Sequence, residues 1–478
     1  MPATIATALL VLCIAWAPAA LGSNRPLPWA VNALLAGAAL LFAAWHTHAA
    51  GRSTAERLAP AALPLLLVCA TMTWMAAQAL VPAPAGVAHP AWREAGMLAD
   101  GELTGRISAN PRENLLGLLR LATAAATCLA ALLLARNPAR ARFLLDALIA
   151  AAALYALYGL YRLALTPDKV LWFDARPAAY LSGPFLSRSQ AATYFGLATV
   201  AALATLIQHF RRLARPFAAS TLRVQVAGML VLLPWALGAR LAALLLIASA
   251  VLLTGSRAGI AATAAAMAAV VVLEIARNAR RRRNRGLRPQ FLLAGVVVVL
   301  IGVVFAVAGE RIADRLLGDG LAPGARLDVY RMTQAAIADH AWIGSGYGTF
   351  QDVFPLYRGH AGAASFTWDK AHNDYLELML GLGLPAAGLF LWALTAAAVT
   401  VTRGALHRRR GAAYPASAAA GTLLVGLHAL VDFSLQIQAI TLAYALLLGV
   451  GLAQASGSAR VIPTGTRHRC KSAGGSVG

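Results

Sequence analysis

Long runs of apolar residues recur along the whole chain, and this pattern limits the fold more than any other feature. Of 478 residues, 59% are hydrophobic and 13% are charged, which is too little polar surface for a soluble protein of this size. A run of about 18 or more apolar residues can cross a bilayer as a helix. We therefore expect an all-α, polytopic membrane protein. The first run, residues 3–21, lacks the basic segment of a signal peptide, so we interpret it as the first span.

Twelve membrane spans are predicted, if residues 225–254 form one long span rather than two around Pro234. The spans are 4–22, 29–48, 58–80, 114–135, 141–164, 189–209, 225–254, 258–276, 290–309, 372–402, 415–432 and 434–454. An even number places both termini on the same side of the membrane. With the termini in the cytoplasm, the cytoplasmic segments hold 24 Lys and Arg against 14 on the other side, as the positive-inside rule requires.

The predicted location is therefore the bacterial inner membrane, with both termini in the cytoplasm. The transmembrane domain covers residues 1–454, with a cytoplasmic tail at 455–478 and a large periplasmic loop at 310–371. This loop contains a predicted helix from 325 to 342. The net charge of +22 lies in short clusters between apolar runs, which is typical of orientation signals rather than of nucleic-acid binding.

Two arginines stand in short polar breaks at the predicted periplasmic face. Arg257 lies in Thr-Gly-Ser-Arg-Ala-Gly, and Arg188 lies in Gly-Pro-Phe-Leu-Ser-Arg-Ser-Gln. Each can be interpreted as a residue at the start of a helix, with no further function. A pair of arginines on one face can also clamp a diphosphate, because the guanidinium fork matches phosphate oxygens.

A third polar segment, Ala-His372-Asn373-Asp-Tyr-Leu-Glu377, lies where the large loop meets a span. His372 is the candidate catalytic residue, because a histidine can act as a general base at neutral pH. The density of polar residues at a membrane boundary favours function over a solvated histidine. No second histidine has the spacing of a metal ligand, so no metal site is expected.

Three further charged residues are candidates for supporting roles. Arg326 and Arg331 lie on the predicted loop helix, where ion pairs of a solvated helix would explain most of the pattern. Asp432 lies near the outer membrane boundary, and we expect it to pair with one of the arginines, because an unpaired carboxylate there is costly.

Taken in order, these segments resemble the O-antigen ligase and O-antigen polymerase family. The resemblance rests on the motifs around Arg188, Arg257 and His372, on Trp-Ile-Gly-Ser-Gly-Tyr-Gly-Thr-Phe at 342–350, and on His-Ala-Leu-Val-Asp at 428–432. It covers about residues 165–450. Many relatives carry Asn-Arg-Asn-His where this chain has Ser187-Arg188-Ser189-Gln190, a departure that bears on the type of acceptor.

The resemblance implies a metal-independent periplasmic glycan transferase that needs no cofactor. Its donor would be an undecaprenyl-diphosphate-linked glycan, and its acceptor a lipid or polysaccharide, as in lipopolysaccharide or surface polysaccharide biosynthesis. In the family, residues matching Arg188 and Arg257 bind the donor diphosphate, and the histidine matching His372 activates the acceptor hydroxyl. The supporting candidates are Arg326, Arg331, Asn373, Glu377 and Asp432.

Several alternatives to a ligase remain. Within the family these are an O-antigen or exopolysaccharide polymerase and a protein O-oligosaccharyltransferase. In another class, a lipid-linked glycan transporter would place its charges near the bilayer midplane, whereas here the polar density lies outside the spans. A scaffold protein without activity would leave the shared location of Arg188, Arg257 and His372 as a coincidence.

Overall fold

The computed structural model describes residues 1–51, 53–174, 179–214, 235–280, 323–358 and 368–455. In chain order its α-helices are α1 (Pro2–Ala19), α2 (Pro26–Ala49), α3 (Thr54–Leu58), α4 (Ala62–Leu80), α5 (Ala91–Leu98), α6 (Pro111–Leu134), α7 (Pro138–Leu165), α8 (Arg188–Ala214), α9 (Trp235–Leu253), α10 (Arg257–Ala279), α11 (Pro323–Asp339), α12 (Phe350–Val353), α13 (Asp374–Leu382), α14 (Leu384–His407), α15 (Ala413–His428) and α16 (Gln438–Ala455). Short 3₁₀ turns cover Ala59–Ala61, Phe354–Tyr357 and Ser434–Gln436. The strands β1 (Lys169–Val170) and β2 (Phe173–Asp174) form one small antiparallel hairpin.

The described residues contain nine helices that are long and apolar enough to cross a membrane. They are α1, α2, α3 with α4, α6, α7, α8, α10, α14 and α16. The all-α, multi-pass architecture is therefore confirmed, whereas the total of twelve spans stays a prediction. The predicted span 290–309, the first part of 225–254 and nearly all of the tail 455–478 lie outside the described residues. The predicted span 415–432 corresponds to α15, which has 16 residues.

Local sequence signals set where the helices begin. Asn110 and Asn137 cap α6 and α7, and each is followed by a proline in the first turn, where a missing N–H costs nothing. Ser256 caps α10 by accepting a hydrogen bond from the backbone N–H of Gly259. These caps satisfy donors that would otherwise lie unpaired near the membrane.

The predicted span 372–402 is wrong in one respect, because the chain breaks at Gly383. This glycine has a positive φ of 77° and separates α13 from α14, which carries Pro385 in its first turn. The backbone N–H groups of Ser345 and Gly346 donate to the carbonyls of Leu380 and Gly381, at 2.9 Å each. The glycine-rich turn therefore supplies hydrogen bonds to carbonyls at the end of α13.

The main apolar core lies among the spans, and α8 and α16 are its most buried helices. A second, smaller core joins α11, α12 and α13 through Val329, Phe350, Phe354 and Leu380, among others. This second core lies beside one end of the bundle. We call that end the site end, and there α8, α10 and α16 begin and α15 ends. The predicted loop helix 325–342 corresponds to α11, which ends at Asp339.

Candidate active site

His372 and Asp432 face each other at the site end of the bundle. The Nδ1 atom of His372 lies 3.9 Å from Oδ1 of Asp432, which is ion-pair distance but longer than a hydrogen bond. Asp432 is 4% exposed. The arginine partner expected for this carboxylate is thus replaced by a histidine. At this distance the charge of the carboxylate can stabilise the protonated form of the imidazole.

Backbone contacts hold the segment that carries His372 against the end of α15. The backbone N–H of Asp374 donates to the carbonyl of Ala429 at 2.9 Å, and the side-chain amide of Asn373 donates to the carbonyl of Leu430 at 2.9 Å. Asn373 also caps α13, since its side-chain oxygen accepts from the N–H groups of Tyr375 and Leu376. His372 itself has φ of 54°, a left-handed conformation that costs a non-glycine residue about 1–3 kcal/mol.

Two aromatic rings fix the plane of the imidazole. Trp368 lies 5.6 Å from it at an angle of 90°, and Phe433 lies 5.0 Å from it at 76°. Both contacts have the edge-to-face geometry that aromatic rings favour. With Nδ1 turned toward Asp432, Nε2 is the ring nitrogen left for a substrate hydroxyl.

A polar network continues behind Asp432 into the bundle. The hydroxyl of Ser434 donates to Oδ2 of Asp432, and the Thr193 hydroxyl lies 2.6 Å from Nδ1 of His428 and 3.0 Å from the Ser434 hydroxyl. Burial alone raises the pKa of Asp432, but its interactions with His372, His428 and Ser434 together lower that pKa below its usual value. The carboxylate therefore stays charged opposite His372.

The starts of α8 and α10 bring two arginines together. The hydroxyl of Ser256 donates to that of Ser189 at 3.3 Å, and a Cβ on Gly259 would meet Ala192 at 2.4 Å, so the two helices pack closely. Arg188 is the first residue of α8, and Arg257 is the first residue of α10. The two guanidinium groups are close enough to interact electrostatically. The guanidinium of Arg188 also lies over the ring of Tyr180, 5.1 Å from its centroid.

Helix α11 joins the arginines to the histidine. Arg326 interacts electrostatically with Arg188 on one side and with His428 on the other. Among the described residues, its Nε is buried without a hydrogen-bond partner. One turn later the Tyr330 hydroxyl donates to the backbone carbonyl of His372 at 3.0 Å. Three arginines and the His372–Asp432 pair thus share one end of the bundle, in an arrangement suited to binding an anion beside a general base.

The remaining sequence candidates have contacts of a different kind. Glu377 is 6% exposed, and its carboxylate accepts from the backbone N–H of Ala371 at 2.8 Å and lies 3.8 Å from the Lys370 ammonium. It therefore supports the loop that carries His372. The side chain of Arg331 is 76% exposed and pairs with Asp328 at 3.3 Å, as expected for a solvated helix face.

Tyr330, Thr193 and Ser434 belong to the site but were not candidates from the sequence. A signal for Ser434 exists, since it follows Asp432 by two residues and can therefore bond the carboxylate locally. In the described residues, no three histidine, cysteine or acidic side chains form a group that could hold a metal ion.

Residues 242–392 match the model of the O-antigen ligase family. This part of the chain is similar to the O-antigen ligase family. The match supports the resemblance expected from the sequence over these residues, and no curated protein matches the chain.

The O-antigen ligase match includes Arg257, Arg326 and His372, together with the glycine-rich turn and the break at Gly383. Arg188 and Asp432 lie outside the matched residues, and the contacts described above bring them to the same site. The family match and the apolar helices support a membrane enzyme of the ligase and polymerase type. The donor, the acceptor and the face of the membrane require the argument below.

Proposed function

We propose that the chain transfers a glycan from undecaprenyl diphosphate to an acceptor hydroxyl at the periplasmic face of the inner membrane. The observation that supports this most is the meeting of three arginines with the His372–Asp432 pair at one end of the bundle. An arginine cluster fits a diphosphate, and the histidine beside it fits the activation of a hydroxyl. The predicted loops on the side of the membrane that carries this site hold fewer Lys and Arg than the loops on the other side, and this supports a periplasmic location.

In the proposed reaction, Nε2 of His372 takes the proton of the acceptor hydroxyl as its oxygen attacks the anomeric carbon. The bond between that carbon and the diphosphate oxygen breaks, and the oxygen keeps the electron pair. The imidazolium that forms is stabilised by Asp432, which stays ionised in this site. His372 then returns the proton to water or to the released diphosphate.

The arginines act on the leaving group. Negative charge grows on the diphosphate oxygens as the bond breaks, and Arg188, Arg257 and Arg326 lie near one another in a position to neutralise it. Hydrogen bonds to a charged group contribute about 1.5–3 kcal/mol each. The energy of the donor lies in its own diphosphate linkage, so neither a nucleotide nor a metal ion is required.

Reconstitution in liposomes tests this proposal. The protein is supplied with an undecaprenyl-diphosphate glycan and candidate acceptors, without nucleotide and with a chelator present. We expect glycan transfer by the wild type and by His48→Ala, a change at an exposed residue of α2, and loss of transfer by His372→Ala. Loss of activity on adding the chelator, or full activity of His372→Ala, would contradict the proposal. Movement of the donor across the bilayer without transfer would support a transporter instead.

A further inference from the structure

The carboxylate of Asp374 has no part in the proposed reaction, although this residue lies two positions after His372. Its Oδ2 accepts from the backbone N–H of Leu435 at 3.2 Å, and its Oδ1 accepts from the side-chain amide of Gln436 at 3.1 Å. Both oxygens are thus bound to one turn that is distant in sequence. Asp374 is also the first residue of α13, where a negative charge is favourable without any such contact. The stability of the helix alone therefore does not explain the arrangement.

The loop 429–436 carries Asp432, and the two residues that follow His372 bind it at both ends. At the start of the loop, the side chain of Asn373 and the backbone N–H of Asp374 donate to two backbone carbonyls, at 2.9 Å each. At its end, the Asp374 carboxylate accepts the two hydrogen bonds described above. The separation between the imidazole and the Asp432 carboxylate therefore depends on the contacts of Asn373 and Asp374.

The end of the same loop is also anchored in the helix bundle. The Nη1 atom of Arg120, on α6, donates to the backbone carbonyl of Gln436 at 3.4 Å. Gln438, the first residue of α16, accepts at its side-chain oxygen from the amide of Asn32 on α2, at 2.8 Å, and both side chains are buried. Asp374 therefore connects the start of α13 to a turn that α2, α6 and α16 hold in place.

We propose that Asp374 is a positioning residue, which fixes the distance between His372 and Asp432 by holding the turn Ser434–Gln436. The inference rests on the proposed function, because it explains how the base and its carboxylate are kept together. The pair is separated by 3.9 Å, which is longer than a hydrogen bond, so a direct bond does not set this distance. The attraction between the two charges weakens as their separation grows. A displaced turn would therefore stabilise the imidazolium less well.

Steady-state kinetics of the full-length protein in liposomes tests this role. Asp374→Ala should lower kcat about tenfold or more, and Asp374→Asn, which keeps one acceptor oxygen, should lower it less. The KM values for donor and acceptor should not change, since Asp374 acts through the loop and not on a substrate. Asp352→Ala removes an exposed carboxylate that accepts from the Asn110 amide at 3.2 Å, and it should retain the wild-type kcat. A raised KM with an unchanged kcat in Asp374→Ala would make the residue a substrate contact and overturn the proposal.

A double-mutant cycle separates positioning from a general structural role. If Asp374 acts through Asp432, Asp374→Ala should lower kcat less than about twofold once Asp432→Asn has removed the charge. Gln436→Ala leaves the Asp374 carboxylate in place and removes one of its donors, so it supplies the same measurement in case Asp374→Ala does not fold. Equal fold losses in the wild-type and Asp432→Asn backgrounds would show that Asp374 acts independently of Asp432, and would overturn the proposal.

The imidazole signal of His372 gives a measurement that requires no transfer. In protein with isotope-labelled histidine, nuclear magnetic resonance identifies this signal by its absence from His372→Ala. We expect Asp374→Ala to shift the signal in the same direction as Asp432→Asn does, and Asp352→Ala to leave it in place. Such a shift without transfer to any acceptor would refute the proposed function and leave the positioning role standing. Transfer that requires His372, together with an unshifted signal in Asp374→Ala, would refute the positioning role alone.

Discussion

The hydroxyl of Tyr330 donates a hydrogen bond to the backbone carbonyl of His372, with 3.0 Å between the oxygens. This contact connects α11 to the one residue of the site that has a left-handed backbone. The strain at His372 has to be offset by its surroundings, and Tyr330 belongs to a helix that also carries Arg326. The position of the proposed base is therefore coupled to the helix that is proposed to contact the leaving group.

Removing this hydroxyl should lower the rate of transfer without preventing substrate binding. We expect Tyr330→Phe to lower kcat about tenfold, because one hydrogen bond to the strained segment is lost and the imidazole is held less well. Tyr357→Phe removes a comparable hydroxyl, which donates to Asp339 at 2.8 Å on the exposed side of the same region, and should retain activity. Equal effects of the two changes on kcat would contradict the role given to Tyr330.

Asp432→Asn should reduce transfer about 100-fold or more, since the imidazolium would lose its charged partner. Burial raises the pKa of Asp432, but its interactions with His372, His428 and Ser434 lower that pKa by more. The carboxylate is therefore ionised at neutral pH, and the substitution removes a charge. Initial rates at saturating donor measure the effect. Wild-type rates for Asp432→Asn in a folded, membrane-inserted protein would exclude the His372–Asp432 pair from the reaction.

Substitutions of Arg257 and Arg326 should show how much charge and guanidinium geometry each contribute to transfer. Arg257→Lys keeps the charge but loses the planar fork, so we expect about a tenfold lower kcat/KM, and a larger loss for Arg257→Gln. Arg326→Gln should be similarly damaging, because its charge reaches Arg188. Arg93→Gln, at an exposed arginine of α5, provides the control. Wild-type kcat/KM for both Arg257→Lys and Arg257→Gln would show that neither fork geometry nor charge matters at this position.

Much of the fold follows from hydropathy, because a bilayer requires spanning segments to satisfy their own backbone hydrogen bonds. The sequence therefore predicts most of the spanning helices to within a few residues. The break at Gly383 was missed because the apolar run continues through it. The signal was present in Gly383 followed by Pro385, which together end one helix and begin another.

The site was less predictable than the fold. Arg188, Arg257 and His372 stand out because polar residues at membrane ends are costly. The pairing of His372 with Asp432 could not be derived from spacing, since sixty positions and the three helices α13, α14 and α15 separate them. It depends on the contact between Asn373 and the end of α15, a tertiary interaction with no local pattern.

The segment between α4 and α6 is joined to the end of α11 by two stacked histidines. The rings of His89 and His340 are 5.1 Å apart at an angle of 14°, and His89 is 5% exposed. Burial, together with the nearby His340, lowers the pKa of His89 from 6.5 to about 4. The folded protein therefore holds His89 neutral at a pH where the unfolded chain would bind a proton.

This difference makes stability depend on pH in a defined direction. The unfolded chain binds more protons between pH 6.5 and about 4, so stability falls as the pH falls through that window. At pH 5 the loss from His89 should reach about 2 kcal/mol relative to neutral pH. Thermal unfolding in detergent at pH 7 and pH 5 measures it. His89→Gln should show a smaller fall in Tm than the wild type, and His48→Gln, at an exposed histidine of α2, should keep the full fall. An unchanged fall in His89→Gln would show that another group is responsible.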